Sequence, residues 1–338
     1  MADTSNALAW DGRGGHYEVY YLTLTDARTG VGCWIRYTLL APTAQQGGAP
    51  TAALWFLAMD PRPDHPATFA RKTVFPIDQL SAQEEPFELR IADAVLTQER
   101  MSGQLPDAAW DLRFRPSAHS YTHVHPVLRM AGAAQTFLTL PQANLLVEGR
   151  VTFGGEEIEL SGVHGAQAHL YGSKHARTWA WVHAGDFIDE DRRPVPGTVI
   201  DAVSVVVNRF GRDVGPSTPV VGRIEDEDFI STSPIRVLTN PSTFALTGWH
   251  FEAVAGKRKL IAEVDARRSQ LAGVAYEDPD GEGAYCYNTE TATLRLQLLH
   301  RARHVGGWAL RRRFQAPGRA HFEYAQRTPV PGMPVLLP

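Results

Sequence analysis

The sequence predicts an all-β protein made of two β-barrels or sandwiches. Three observations carry this. Apolar, aromatic and β-branched residues alternate with period two through most of the chain. The 29 Gly and 23 Pro punctuate it too often for long helices. At 338 residues it is long for one domain and comfortable for two. The expected ~18 to 20 strands do not easily close as one barrel.

The elements follow in order. Residues 17–24 form a strand rich in aromatic and β-branched side chains, stopped by Asp26-Ala27-Arg28-Thr29-Gly30. Residues 32–40 return as its antiparallel partner, and 51–59 follow up to Asp60-Pro61-Arg62-Pro63. The best helix candidate is 77–83, one or two turns between Pro76 and Pro86. Strands are expected at 94–96, 110–114, 145–153 and 156–160, the last two joined by the hairpin turn Gly154-Gly155. In the second half they are expected at 177–183, 202–208, 219–224, 242–251, 259–264 and 291–299. The tetrapeptide Trp110-Asp111-Leu112-Arg113 recurs as Trp308-Ala309-Leu310-Arg311, a faint mark of duplication. A glycine-containing loop near 172–175 places the boundary between domains 1–173 and 174–338.

Composition excludes several classes. Lys and Arg number 33 against 37 Asp and Glu, a net charge of −4, which argues against binding nucleic acid by phosphate neutralisation. Cys33 and Cys286 are too few and too far apart for a disulfide framework and read as buried thiols. No apolar run approaches the ~18 residues of a membrane helix, so no integral membrane segment is expected. The N-terminal stretch lacks a basic region followed by an apolar core, and the expected location is the cytoplasm. There is no GxSxG, P-loop, HExxH or strand-to-helix GxGxxG, and no cofactor is expected. His123 and His125 have metal-like spacing without a partner carboxylate, and Glu225-Asp226-Glu227-Asp228 lacks EF-hand spacing, so no metal is expected either.

Two segments carry candidate chemistry. On a strand, His16, Glu18 and Tyr20 share one face, while Tyr17, Val19 and Tyr21 share the other. A carboxyl among aromatics is a candidate for a raised pKa and proton donation, unless Glu18 simply stands in water. The second segment places Gln167, His169 and Tyr171 on one face, followed by Trp179, Trp181 and His183 at the same period. Two adjacent strands there would form one wall of polar tips and aromatic rings, or a Trp-rich core with histidines at its rim.

These residues resemble the AttH-like group, which includes carotenoid 1,2-hydratases (hydroxyneurosporene synthases) and, more distantly, tocopherol cyclases and lipocalin-type Diels–Alderases. Glu18-Val19-Tyr20-Tyr21 looks like the family's Glu-Trp-Trp-Tyr strand, and 165–172 like its segment ending His-x-Trp-Gly. Trp179-Ala180-Trp181 is similar to the aromatic strand that follows. Tyr171 replaces the usual Trp, and Ala168 stands where Asp often precedes the His. The stretch corresponding to the hydratases' Tyr-x-Asp, near Ala202-Val203-Ser204-Val205, is apolar apart from Ser204. The resemblance implies two lipocalin-like antiparallel β-barrels packed side by side around a lipophilic small-molecule ligand.

The implied activity is acid-assisted hydration (a lyase reaction), cyclisation or isomerisation of an isoprenoid or polyketide-like substrate. Glu18, His169 and Tyr171 would be catalytic, with Tyr20, Gln167, Trp179, Trp181 and His183 binding the ligand. Aromatic faces would stabilise a cation, and apolar walls would exclude stray water. A non-catalytic hydrophobic-ligand carrier needs only the cavity and a few orienting groups. A carbohydrate-binding β-sandwich would instead display its Trp faces on a groove. The sequence leaves these three open, together with the ligand's identity and the oligomeric state.

Overall fold

The computed structural model describes residues 4–62, 68–130, 134–209, 211–302 and 307–337. Among these described residues, twelve strands form the first sheet: β1 (His16–Thr25), β2 (Gly32–Ala41), β3 (Thr51–Met59), β4 (Thr68–Pro76), β5 (Leu80–Gln83), β6 (Glu88–Ile91), β7 (Ala94–Thr97), β8 (Arg100–Leu105), β9 (Ala108–Arg115), β10 (Tyr121–Thr122), β11 (Thr136–Phe153) and β12 (Glu156–Gly172). They run in the order β4-β3-β2-β1-β12-β11-β9-β8-β7-β6-β5, with β10 paired to β11, and curl into a nearly closed antiparallel barrel.

Thirteen strands of the described residues form the second sheet: β13 (Thr178–Ala184), β14 (Ile188–Asp189), β15 (Val199–Arg209), β16 (Arg212–Ser217), β17 (Val220–Ile224), β18 (Glu227–Asp228), β19 (Ser242–Ala245), β20 (Gly248–Ala255), β21 (Arg258–Asp265), β22 (Ala272–Glu277), β23 (Gly283–Arg301), β24 (Trp308–Gln326) and β25 (Val335–Leu337). Its main path is β18-β17-β15-β13-β24-β23-β21-β20-β19. Two short helices, α1 (Pro126–Met130) and α2 (Pro234–Thr239), complete the described α-structure. Among the described residues, no helix is long and apolar enough to cross a membrane.

Local chemistry explains the main turns. Gly154 and Gly155 take φ of 57° and 88°, the left-handed pair that a two-residue hairpin needs between β11 and β12. Three expectations are corrected. Only Ile77–Gln79 is helical, as one 3₁₀ turn; Leu80 then turns extended and pairs with Ile91, because β6 offers a ladder that an isolated turn cannot match. The strand expected over 242–251 folds back on itself, with Ala245 opposite Gly248. Trp110 is buried against Phe56 and Tyr37 inside the first barrel, whereas Trp308 begins β24 exposed, so the two tetrapeptides occupy unlike environments.

Each sheet has its own packed interior. Leu22, Leu54, Phe56, Trp110 and Phe153 fill the first, and Trp249, Phe251, Leu296, Phe314 and Phe322 fill the second. Two further clusters join them. Trp34, Trp55 and Leu57 meet Trp179, Val274 and Cys286, while Tyr21, Leu138 and Leu140 meet Trp181, Val199 and Val221. Strands at this seam are therefore buried on both faces, which is why Thr51–Met59 is apolar almost without interruption. Cys33 and Cys286 are free thiols in the first interior and the seam respectively.

The seam is tight at Gly32, where an added Cβ would overlap the Glu290 Cβ of the other sheet. Gly32→Ala is expected to cost about 1–3 kcal/mol in urea denaturation. Gly307→Ala, with open space around it, is expected to stay within about 0.5 kcal/mol of the parent.

Candidate functional site

The two faces of β1 serve different surroundings. Tyr20, Leu22 and Leu24 point into the first barrel, whereas Tyr17, Val19 and Tyr21 face the seam. There the sheets part around a cavity of about 890 Å³. Val19, Leu138, Leu170, Val203 and Val205 supply apolar wall, and Tyr17, Tyr21, Trp55, Trp179, Trp181 and Tyr276 supply aromatic wall. Val74, also lining it, is half exposed, so the cavity reaches the surface near β4.

A buried charged cluster stands in this wall, apart from the basic and acidic side chains elsewhere in its lining such as Lys72, Arg209 and Glu282. Arg36 on β2 crosses the seam to pair with Glu323 on β24, and its other amino group donates to the Tyr276 hydroxyl. The guanidinium lies over Trp34, 4.1 Å from the ring centroid, and within 5.1 Å of Tyr21 and Tyr276. Trp179 Nε1 donates to Glu323 at 3.4 Å. Behind Glu323, His321 Nε2 lies 3.5 Å from that carboxylate, and Nδ1 lies 2.7 Å from Glu290. Thr23 of β1 donates to Glu290 from the first sheet. Among the described residues, the Tyr21 hydroxyl and Arg36 Nε are buried without a hydrogen-bond partner.

The fields of these groups set their protonation. Burial alone would raise the Glu323 carboxyl, but Arg36 and His321 outweigh it and hold it at about 2. Burial alone would lower His321, but Glu290 and Glu323 lift it to about 9. At neutral pH the cavity thus meets a carboxylate and a guanidinium, with an imidazolium behind them. Burial raises the Tyr21 and Tyr276 phenols well above their ordinary range, so both remain O–H donors.

Two more buried carboxylates organise the cavity ends. Asp201 accepts from Trp181 Nε1 at 2.9 Å and from His183 at 3.0 Å, and the cavity-lining His123 lies 2.8 Å away. Burial works against its charge, but the two histidines hold it at about 2. Asp278 pairs with His175 and Arg327, both at 2.6 Å, and the His175 ring stacks on Tyr17 at 4.2 Å and on Trp179 at 5.4 Å.

The residues singled out in the sequence divide between two places. Trp179 and Trp181 line the cavity, and His183 orients Asp201 at its edge. Glu18, Tyr20, Gln167 and His169 lie together on the other face of β1 and β12. There Glu18 is fully buried, accepting from the Ala9 and Trp10 amides at 2.8 and 3.0 Å and from Tyr20 at 2.7 Å. His16 and His169 approach the same carboxylate at 2.8 and 2.7 Å. The expected rise in its pKa is reversed: burial raises it, but these partners bring it to about 2, which keeps it ionised. Gln167 bonds Asn6, and Tyr171 lies near the surface with Arg129 on its hydroxyl. The 167–171 and 179–183 stretches are not neighbours in one wall, because β12 pairs with β1 while β13 belongs to the other sheet.

The metal-like patterns are used otherwise. His123 faces Asp201, and His125 Nδ1 accepts from the Val127 amide. Glu225, Glu227 and Asp228 pair with Arg312, Arg258 and Arg223. The group of Asp278, Asp280 and Glu282 has ligand-like spacing, but His175, Arg327 and Lys174 already neutralise it.

Missed at the sequence level were Arg36, Tyr276, Glu323, Asp201 and the His321–Glu290 pair. The period-two His321-x-Glu323 repeats the His16-x-Glu18 pattern and was the available signal.

Comparison with known proteins places this architecture. No family model matches the chain. Two Mycobacterium tuberculosis proteins, the uncharacterized proteins MT0513 and Rv0493c of two strains, are each 29% identical over 296 residues, covering 86% of this chain and 83% of theirs. The crystal structure of a protein named as a candidate AttH (NE1406) from Nitrosomonas europaea superimposes with a TM-score of 0.55 at 14% identity, covering 96% of both chains. The fold is AttH-like. Kievitone hydratase from Nectria haematococca shares it, with a TM-score of 0.51 at 9% identity over 93% of this chain and 90% of its own. At such identities the likeness concerns architecture.

The protonation states set a pH dependence. His321 is raised from 6.5 to about 9, so its contribution to stability is complete below 6.5 and is lost as pH rises through 9. Glu323 is lowered from 4.5 to about 2, so its contribution is complete above 4.5 and is lost as pH falls towards 2. Urea midpoints should fall between pH 6.5 and 9 in the parent and fall less over that window in His321→Gln.

Proposed function

We propose that the protein binds a lipophilic, oxygen-bearing small molecule in the cavity between the sheets and adds or removes water, or shifts a proton, next to a carbonyl group. The observation that supports this is the buried Arg36–Glu323–Tyr276 cluster set beside the apolar and aromatic part of the wall. Its volume of about 890 Å³ is in the range of small-molecule sites.

The roles follow from charge. Glu323 is ionised and cannot deliver a proton to an alkene carbon, which sets this reading apart from simple acid-initiated cation chemistry. Arg36 and the Tyr276 hydroxyl present cationic and O–H donors to a carbonyl oxygen and to the enolate that forms from it. When the ligand oxygen takes donors from Arg36, Glu323 loses part of its counter-charge and becomes a stronger base. It then takes a proton from water attacking the β-carbon of an enone, or from an acidic C–H. In hydration, that proton returns to the α-carbon, so one water adds across the double bond. Trp179, Trp181 and Tyr17 hold the apolar body of the ligand and exclude bulk water.

Glu18 is assigned a positioning role, because its five partners tie the N-terminal segment and β12 to β1. The test incubates cell lipid extracts with the protein in ¹⁸O-water and follows species that gain or lose water by mass spectrometry. Glu323→Gln should lower such conversion by about 10²-fold or more while retaining the co-purifying ligand. Glu18→Gln should lower stability and leave conversion by the folded fraction unchanged. Full conversion by Glu323→Gln would remove the base and leave a carrier. Loss of conversion by folded Glu18→Gln would move the chemistry to the other face of β1.

A further inference from the structure

We propose that the mouth of the cavity docks onto an anionic lipid surface, so that a lipophilic ligand passes between bilayer and cavity without crossing water. Single exposed apolar side chains are ordinary, but here they are concentrated. Among the described residues the two α-helices both stand at this mouth. Leu128 of α1 and Val237 of α2 line the cavity. The same helices turn Val127 (52% exposed), Met130 (81%), Ile235 (76%) and Leu238 (62%) outward. Val74, also on the rim, is 54% exposed. Such short segments, with one face on the ligand site and the other bare, suit the headgroup–acyl boundary of a bilayer.

The charge around the rim selects the kind of surface. Two exposed arginines stand here: Arg212, opposite Arg209 across the β15–β16 hairpin, and Arg236, on α2 beside Val237. Of the acids nearby, Asp213 is paired with Arg177 at 2.9 Å, Asp280 and Glu282 share Lys174 at 2.5 and 2.7 Å, and Glu277 acts on Lys72. Arg212 and Arg236 thus give this rim exposed positive charge on a chain whose net charge is −4, which is the complementarity that anionic lipid attracts. Continuity with an apolar cavity favours lipid over a second protein copy, since a bilayer both covers the patch and supplies lipophilic molecules. This inference concerns access and does not depend on the chemistry proposed for Glu323.

Flotation of the purified chain with vesicles tests it. With equal parts phosphatidylcholine and phosphatidylglycerol the chain should float, and with phosphatidylcholine alone it should remain largely in the dense fraction. The double variant Ile235→Asp with Leu238→Asp should reduce the floating fraction at least about tenfold, as should Arg212→Glu with Arg236→Glu. Val127→Asp with Met130→Asp repeats the test on the other helix, should the α2 variants misfold by circular dichroism. Glu323→Gln should float like the parent, which separates this inference from the catalytic reading. Flotation that ignores lipid charge, that survives both apolar variants, or that fails for the parent would overturn the proposal. So would a stable dimer in light scattering that Ile235→Asp with Leu238→Asp dissociates, because the patch would then belong to a second copy.

Discussion

The ion pair between Arg36 and Glu323 is the constraint around which the seam is organised. Both side chains are almost fully buried, so each would be costly to leave alone, and each finds its partner only when the two sheets meet in one register. The same logic runs further along the seam: Thr23 of the first sheet donates to one carboxylate oxygen of Glu290 and Thr25 to its backbone carbonyl, while the other carboxylate oxygen faces His321. Positive and negative groups alternate from Arg36 through Glu323 and His321 to Glu290. A slide of one sheet against the other would strand several charges at once. Apolar packing at the seam supplies adhesion, and this chain supplies alignment.

Alignment has a functional consequence. The interiors of the two sheets are filled by large side chains such as Phe56, Trp110, Phe251 and Phe322, leaving little for a ligand to displace cheaply. The space lies between them, where the outer faces of β1, β2 and β3 diverge from β13, β15 and β22. A cavity made this way inherits unlike walls, one from each sheet. The charged cluster can therefore sit at one side while aromatic rings cover another. That asymmetry is what an orienting site requires, and one barrel enclosing its own core does not provide it.

Much of the fold was legible because period two is a local property. The alternation in 17–24 and 291–299 places strands, and Gly154-Gly155 places a hairpin, without knowledge of anything distant. The candidate site was harder for a definable reason. The alternation of β1 separates Glu18 and Tyr20 from Tyr17 and Tyr21, but nothing local says which face meets a packed barrel end and which meets the seam. Chemistry-bearing residues drew attention to the Glu18 face, and there the carboxylate is saturated by backbone amides, Tyr20 and two histidines. Arg36 and Glu323 stand 287 positions apart and become partners only through the packing of two sheets. Trp179 and Trp181 were found from sequence because their cavity face is recorded in residue type.

The most direct test of a ligand site between the sheets is the crystal structure of the protein with the small molecule it retains on purification. Ligand density is expected between the sheets, against Trp179, Trp181 and Tyr276, with an oxygen within hydrogen-bond reach of Arg36. Density inside either barrel, or beside Glu18 and His169, would contradict it.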